Sequence, residues 1–126
     1  MSAIIGLALG VVIGIFIPFN FPPEYSLYIA VGILAALDSI FGGITGILQK
    51  HFNNLIFVTG FFGNAIIAGL LAFIGDKLGV PIYIAAVIVF GGRIFQNFAI
   101  IRRHFIENLT DKHKKRADLN NVFEKN

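Results

Sequence analysis

The sequence predicts an all-α integral membrane protein with four transmembrane helices arranged as two hairpins. Of its 126 residues, 56% are hydrophobic and only 13% are charged, against roughly 25% charged residues in an ordinary soluble domain. A soluble chain this short cannot bury so much apolar surface. The composition, four long apolar stretches and the short linkers between them all favour a membrane protein. They exclude disordered, collagen-like and disulfide-stabilised chains.

Each apolar stretch is close to the roughly 20 residues that a helix needs to cross a bilayer. The stretches occupy residues 2–19, 25–49, 55–75 and 81–101. The first ends at Pro18 and lacks the basic start and cleavage site of a signal peptide, so we expect it to be retained. The linkers, 20–24, 50–54 and 76–80, are short enough to make consecutive helices antiparallel neighbours.

The charges predict two parts and an orientation. Residues 1–101 carry no net charge, and the whole net charge of +3 lies in residues 102–126. We therefore divide the chain into a membrane domain, 1–105, and a basic tail, 106–126. Basic segments stay in the cytoplasm, so we expect both termini there. The tyrosines agree, because they fall at the predicted outer helix ends: Tyr25, Tyr28 and Tyr83.

Two opposite charges lie inside the predicted membrane helices. Asp38 and Arg93 are about equally far from the outer ends of their helices, so a fixed rise per residue brings them to one depth near the bilayer centre. A charge there costs about 2.5–3.5 kcal/mol, which predicts an ion pair. Amides complete this intramembrane polar cluster, namely Asn64, Gln96 and Asn97. The pair either fixes the helix register, relays a proton, ion or substrate, or contacts a polar group of a partner.

A double GxxxG stripe runs along the first helix, where Gly6, Gly10 and Gly14 recur every fourth residue. Helices in lipid associate through such small residues because their backbones can then approach closely. The spacing predicts a helix-packing face. It leaves open whether the face packs within the chain or in a dimer.

The tail carries basic residues that we expect at the lipid surface. They are Arg102, Arg103, Lys112, Lys114, Lys115 and Arg116. Residues 102–109 should continue the fourth helix into the interface. Anionic lipid headgroups are the most economical partner of this cluster, and the alternative is that it serves only to set the topology. We expect no nucleic-acid binding, and we expect residues 118–126 to be disordered.

Motifs of catalysis are absent from the sequence, which has no GxxxxGK[ST], GxGxxG, HExxH or GxSxG. Cysteine is absent as well, and the three histidines are scattered over a linker and the tail. Ser39 has no histidine near its predicted depth to activate it. We therefore predict no catalytic residue, no metal site and no cofactor, and we do not expect an enzyme.

Several contiguous blocks between residues 3 and 103 carry a resemblance to a known family. They are Pro23-Glu24-Tyr25-Ser26, Leu34-Ala35-Ala36-Leu37-Asp38, Gly42-Gly43, Gly60-Phe61-Phe62 with Asn64, Gly75-Asp76-Lys77-Leu78-Gly79, Phe90-Gly91 with Arg93, Phe95-Gln96-Asn97, and Ile100-Ile101-Arg102-Arg103. The chain resembles the small basic protein family of bacterial membrane proteins, whose function is uncharacterised. The resemblance implies the bacterial cytoplasmic membrane and, through neighbouring genes, envelope or cell-division work. It does not extend beyond about residue 105.

Two functions remain open at this point. The first is a non-catalytic membrane subunit that packs with itself or with another membrane protein. The alternative is a small oligomeric ion or solute transporter or channel that uses the Asp38–Arg93 pair. The observation that bears most on this question is whether the polar cluster is dry and paired or faces a water-filled cavity.

Overall fold

The computed structural model describes residues 1–125, which form four α-helices and no strand. Helix α1 spans Ser2–Phe16, α2 spans Ser26–Leu48, α3 spans Asn54–Leu78 and α4 spans Ile84–Glu124. A short 3-10 turn, Pro23–Tyr25, leads directly into α2. The predicted all-α class is therefore confirmed.

Three of the four helices are long and apolar enough to cross a membrane, which suggests a membrane protein. They are α2 with its preceding turn, α3 and α4. Helix α1 is shorter than predicted, since its 15 residues extend only about 22 Å against a hydrocarbon thickness of about 30 Å. It ends early because Ile17, which precedes Pro18, is extended, as steric clash with the proline ring requires.

Helix α2 is the element against which the other three helices pack. Helices α3 and α4 each lie along α2, and α1 contacts both α2 and α3. The second predicted hairpin is therefore not a packed pair of its own, because α3 and α4 pack mainly on α2. The physical reason lies in α2 itself, whose buried residues are mostly small and allow neighbouring backbones to approach from more than one side.

An apolar cluster joins three helices at one end of the bundle. It consists of Val31, Ala35, Ala68, Ala86 and Phe90. Each of these residues is less than a tenth exposed, and larger side chains such as Leu34 and Tyr83 surround them. These three alanines, the valine and the Phe90 ring form one cluster to which α2, α3 and α4 all contribute.

Gly43 lies where α1 and α3 both meet α2. A Cβ at this position would lie 2.5 Å from Ile4 Cδ1 and 3.0 Å from Phe57 Cε2, so glycine leaves the space that both side chains use. Ile4 is the buried residue of α1. Because Gly43 is close to the end of α2, the start of α1 lies at the same end of the bundle as the α2–α3 linker.

A tight turn joins α3 to α4. Gly79 has a φ of 68°, a left-handed conformation that glycine adopts without strain. Gly75 is equally constrained, because a Cβ there would lie 2.5 Å from the carbonyl oxygen of Val80. The chain therefore folds back directly over the end of α3 before α4 begins.

Helix α4 continues far beyond the length that crosses a bilayer. Its 41 residues extend about 60 Å, roughly twice the hydrocarbon thickness. The expectation of disorder was wrong for residues 118–124, which are helical, and residue 126 lies outside the described residues. The sequence explains the difference, because it contains no glycine or proline after Gly92, and these are the strongest helix breakers. The expected boundary between residues 105 and 106 is one of composition and falls inside this helix.

Candidate functional site

The Asp38 carboxylate lies at the centre of the bundle and faces α4. Arg93 Nε is 3.4 Å from Asp38 Oδ1, so the structure brings together the two charges that the depth argument paired. The partners have different surroundings. The Asp38 side chain is 0% exposed, whereas the Arg93 side chain is 49% exposed.

The carboxylate is poorly satisfied by this pair. Neither Oδ1 nor Oδ2 accepts a hydrogen bond from residues 1–125, and the separation of 3.4 Å from Arg93 Nε exceeds the usual N–H···O range of about 2.7–3.2 Å. A buried charge without hydrogen bonds costs several kcal/mol. Asp38 can therefore accept hydrogen bonds from further donors.

A cleft of about 270 Å³ opens between α2 and α3 and ends at the ion pair. Its α2 wall is built mainly from small residues, Asp38, Ser39, Gly42, Gly43 and Gly46. Its α3 wall contains larger side chains, those of Ile56, Phe57, Phe61 and Asn64, together with Gly60. Residues 51–53 of the linker and Arg93 of α4 complete the lining. The cleft exists because the glycines of α2 leave space that the rings from the linker and α3 only partly fill.

Asn53 fixes the α2–α3 linker at the end of the cleft that lies away from the ion pair. Its Oδ1 accepts hydrogen bonds from the backbone N–H groups of Leu55 and Ile56 at 2.9 and 3.2 Å, an N-cap that sets where α3 begins. The Phe52 and Phe57 rings lie 5.7 Å apart at this end. Phe52 packs beside Gly46, and Phe57 packs beside Gly43.

The structure divides the predicted polar cluster. Asp38, Asn64 and Arg93 line the cleft together. Asn97 lies against α2 instead, because its Nδ2 is 3.7 Å from the position that a Cβ of Gly42 would take. Gln96 is exposed and does not line the cleft. Successive residues of a helix are about 100° apart, so Gln96 and Asn97 point in different directions.

Sequence reasoning did not assign a role to the aromatic residues of the cleft. The small face of α2 was readable from the glycines at 42, 43 and 46. The pattern does not tell which rings oppose those glycines, because that depends on the path of the linker. Phe52, Phe57 and Phe61 therefore emerge as lining residues only in the structure.

The glycine stripe of α1 faces away from the other helices. Apart from the adjacent residues and the nearby backbone of α1 itself, no atom of residues 1–125 lies within 4 Å of a Cβ built on Gly6, Gly10 or Gly14. The stripe therefore does not pack within residues 1–125, and its use in binding a second helix stays a prediction.

The six predicted lipid-surface residues, from Arg102 to Arg116, are all exposed on α4. They do not share one side of the helix. Lys112 and Arg116 flank the same hollow as Leu109, whereas Lys114 lies about 160° around the helix from Lys112. Their binding to lipid stays a prediction. Among residues 1–125, no three His, Asp or Glu side chains come together as metal ligands.

Comparison with known proteins places these features in a family. A family model described as "Protein of unknown function (DUF1290)" matches residues 21–106, which include α2, α3 and the apolar part of α4. A protein named "Small basic protein" from Bacillus subtilis (strain 168) is 46% identical over 114 residues, 89% of this chain and 94% of that protein. "Uncharacterized protein Rv1824" from Mycobacterium tuberculosis (strain H37Rv) is 37% identical over 105 residues, 82% of this chain and 87% of that protein. No solved structure matches the chain.

The unequal burial of the ion pair predicts unequal costs of breaking it. Arg93→Gln leaves the buried Asp38 carboxylate without its cation and should be clearly destabilising, but by less than the roughly 3–5 kcal/mol of a fully buried pair, because half of the Arg93 side chain is exposed. Asp38→Asn removes the buried charge and leaves a half-exposed arginine, so it should cost less. The double variant should be more stable than Arg93→Gln alone. Thermal unfolding in mild detergent measures all three, and equal losses for the two single variants would contradict this account.

Proposed function

Because the chain belongs to the DUF1290 family of proteins of unknown function, we propose a role from its own geometry. The protein is a non-catalytic membrane subunit that packs with itself or with another membrane protein. The observation that carries this proposal is the outward direction of Gly6, Gly10 and Gly14, which have open space beside them. Three glycines along one line give another helix room to approach the α1 backbone closely.

The weak attachment of α1 supports this role. Only Ile4 of α1 is buried among the described residues, and most of the helix beyond Ala8 is exposed. In lipid there is no hydrophobic driving force that would bury the exposed apolar side chains of α1. A glycine face instead stabilises association by letting another helix pack closely against it. A partner helix on this face would hold α1 from the side that the chain leaves open.

The proposed topology has four spans with both termini in the cytoplasm of a bacterial cell. Ile4 beside Gly43 and Asn97 beside Gly42 support a common side for the N-terminus, the α2–α3 linker and the tail. Arg102 and Arg103 leave the bundle at that end, and basic residues favour the cytoplasmic side. In this topology α1 crosses the membrane although it is short, because the bilayer thins locally around it.

A C-terminal fusion tests this topology. A reporter that folds only in the cytoplasm should be active when joined after residue 126, and a reporter that is active only on the outer face should be silent. The same pair of fusions placed between residues 78 and 84, at the α3–α4 turn, should give the opposite result. A C-terminal fusion that is active only outside would overturn the orientation.

The cellular setting of the proposal comes from the family resemblance. Envelope or cell-division work follows by association with the genes that often neighbour family members. Within the membrane, anionic headgroups are the proposed partners of the basic residues that follow Ile101. Each such residue near the surface contributes roughly 1 kcal/mol.

Replacing the stripe tests the subunit role. The triple change Gly6→Leu, Gly10→Leu and Gly14→Leu adds side chains into open space, so the fold should survive while close helix contact is lost. We expect the homo-oligomer, or a co-purifying membrane protein, to disappear in native mass spectrometry from mild detergent. Gly69→Leu, which also has no atom within 4 Å of its Cβ, is the matched control and should keep it. A wild-type protein that is strictly monomeric and alone would rule out this role.

A second candidate, a small ion transporter or channel, is supported by the cleft that ends at Asp38. Reconstituted liposomes should then show ion flux with the wild-type protein and loss of that flux with Asp38→Asn. Glu107→Gln, an equivalent carboxylate-to-amide change at an exposed position of α4 outside the cleft, serves as the control and should retain flux. No flux across a panel of monovalent and divalent ions would remove this candidate.

A further inference from the structure

The level of Asp38 separates two different halves of the bundle. On α2, the members of the apolar cluster, Val31 and Ala35, both precede Asp38. On α3, Ala68 follows Asn64, and on α4, Ala86 and Phe90 precede Arg93. Every member of the apolar cluster therefore lies on one side of the ion pair, and that half of the bundle is closed by packed side chains.

The cleft occupies the other half. Along α2 its lining runs from Asp38 through Gly42 to Gly46, about 12 Å along the helix axis. Along α3 it runs from Asn64 back to Ile56, and it then reaches the linker at His51 and Asn53, which are exposed. The cleft thus leads from the ion pair to one end of the bundle only.

We propose that this cleft is a water-filled half-channel that connects the Asp38–Arg93 pair with the aqueous phase at the α2–α3 linker. Its volume of about 270 Å³ is far larger than the roughly 30 Å³ that one water molecule occupies in the liquid. The proposed occupant of the cleft is thus a row of several water molecules. The apolar cluster separates that row from the opposite face.

The chemistry of the inner end favours water over a lipid tail. The two Asp38 oxygens accept no hydrogen bond from residues 1–125, and half of the Arg93 side chain is exposed. Water accepts hydrogen bonds from the exposed half of the guanidinium, whereas an acyl chain does not, and water beside Arg93 lies next to the Asp38 carboxylate, which is itself 0% exposed. Polar groups of Ser39 and Asn64 line the same end and supply the two to four partners that an ordered water needs.

The half-channel does not depend on the proposed role of the glycine stripe. It requires neither a partner on α1 nor net transport across the membrane. Its test measures access of water-soluble reagents to single positions, so it can fail while the subunit role stands, and the reverse also holds.

The natural absence of cysteine allows single cysteines to report access. Ser39→Cys places a thiol at the inner end of the cleft with little change in size, and Phe61→Cys places one in its wall. Phe62→Cys is the matched control, because Phe62 is the adjacent residue of the same type, is 58% exposed and does not line the cleft. A membrane-impermeant, positively charged methanethiosulfonate reagent modifies only thiols that water reaches, since the thiolate is the reactive form.

We expect Ser39→Cys and Phe61→Cys to be modified to completion when the reagent is on the side of the α2–α3 linker. They should stay unmodified when it is on the other side, and Phe62→Cys should stay unmodified from both. Inside-out membrane vesicles and intact cells present the two sides. If the cleft cysteines react no faster than Phe62→Cys from either side, a lipid tail or another helix fills the cleft and the proposal is overturned. Modification of Ser39→Cys from the opposite side would overturn the one-sided opening.

A blocking variant adds an independent check within the same protein. Gly60→Phe adds a ring to the cleft wall, whereas Gly63→Phe adds one outside it, and neither added Cβ meets an atom within 4 Å. In the Ser39→Cys background, Gly60→Phe should abolish modification and Gly63→Phe should leave it unchanged. Equal modification of the two double variants would contradict a path through the cleft.

Discussion

The burial of one carboxylate constrains how this bundle is arranged. Asp38 lies in the middle of the helix that contacts all the others, and it is 0% exposed. A charge removed from water needs a cation and hydrogen-bond donors nearby, which fixes the height of α4 through Arg93. The T-shaped contact of Phe41 and Phe98, with ring centroids 6.4 Å apart, then joins the same two helices one turn further along. The register of α2 and α4 therefore follows from an electrostatic requirement and is reinforced by packing.

Glycine has two opposite effects in this molecule, and their distribution gives the bundle its asymmetry. At Gly43 the missing side chain is replaced by Ile4 and Phe57, so the space is used for contact. At Gly60 nothing takes the place of the side chain, and the space remains part of the cleft. Alanines fill the corresponding level of the other half at positions 35, 68 and 86. The closed half thus combines alanines with packed larger side chains, whereas the open half has glycines that the neighbouring rings fill only in part.

The sequence predicts the helices and the depth of the charged pair because both follow from fixed geometry. A helix rises by a constant amount per residue, so residue counting placed Asp38 opposite Arg93. A short linker limits only the distance between the two helix ends that it joins. It therefore did not reveal that α4 packs on α2. The cleft was not predictable, because a void depends on which side chains reach each glycine. The polar residues after Asp118 suggested disorder, although they include no strong helix breaker.

The unbroken course of α4 has a mechanical consequence. Arg93 and Phe123 belong to one helix and are about 45 Å apart along its axis. Because the helix is unbroken, a tilt or rotation of its projecting end would also move Arg93, whose guanidinium neutralises Asp38. The tail is thus continuous with the helix that holds Arg93 in the interior of the protein, in addition to carrying the net positive charge.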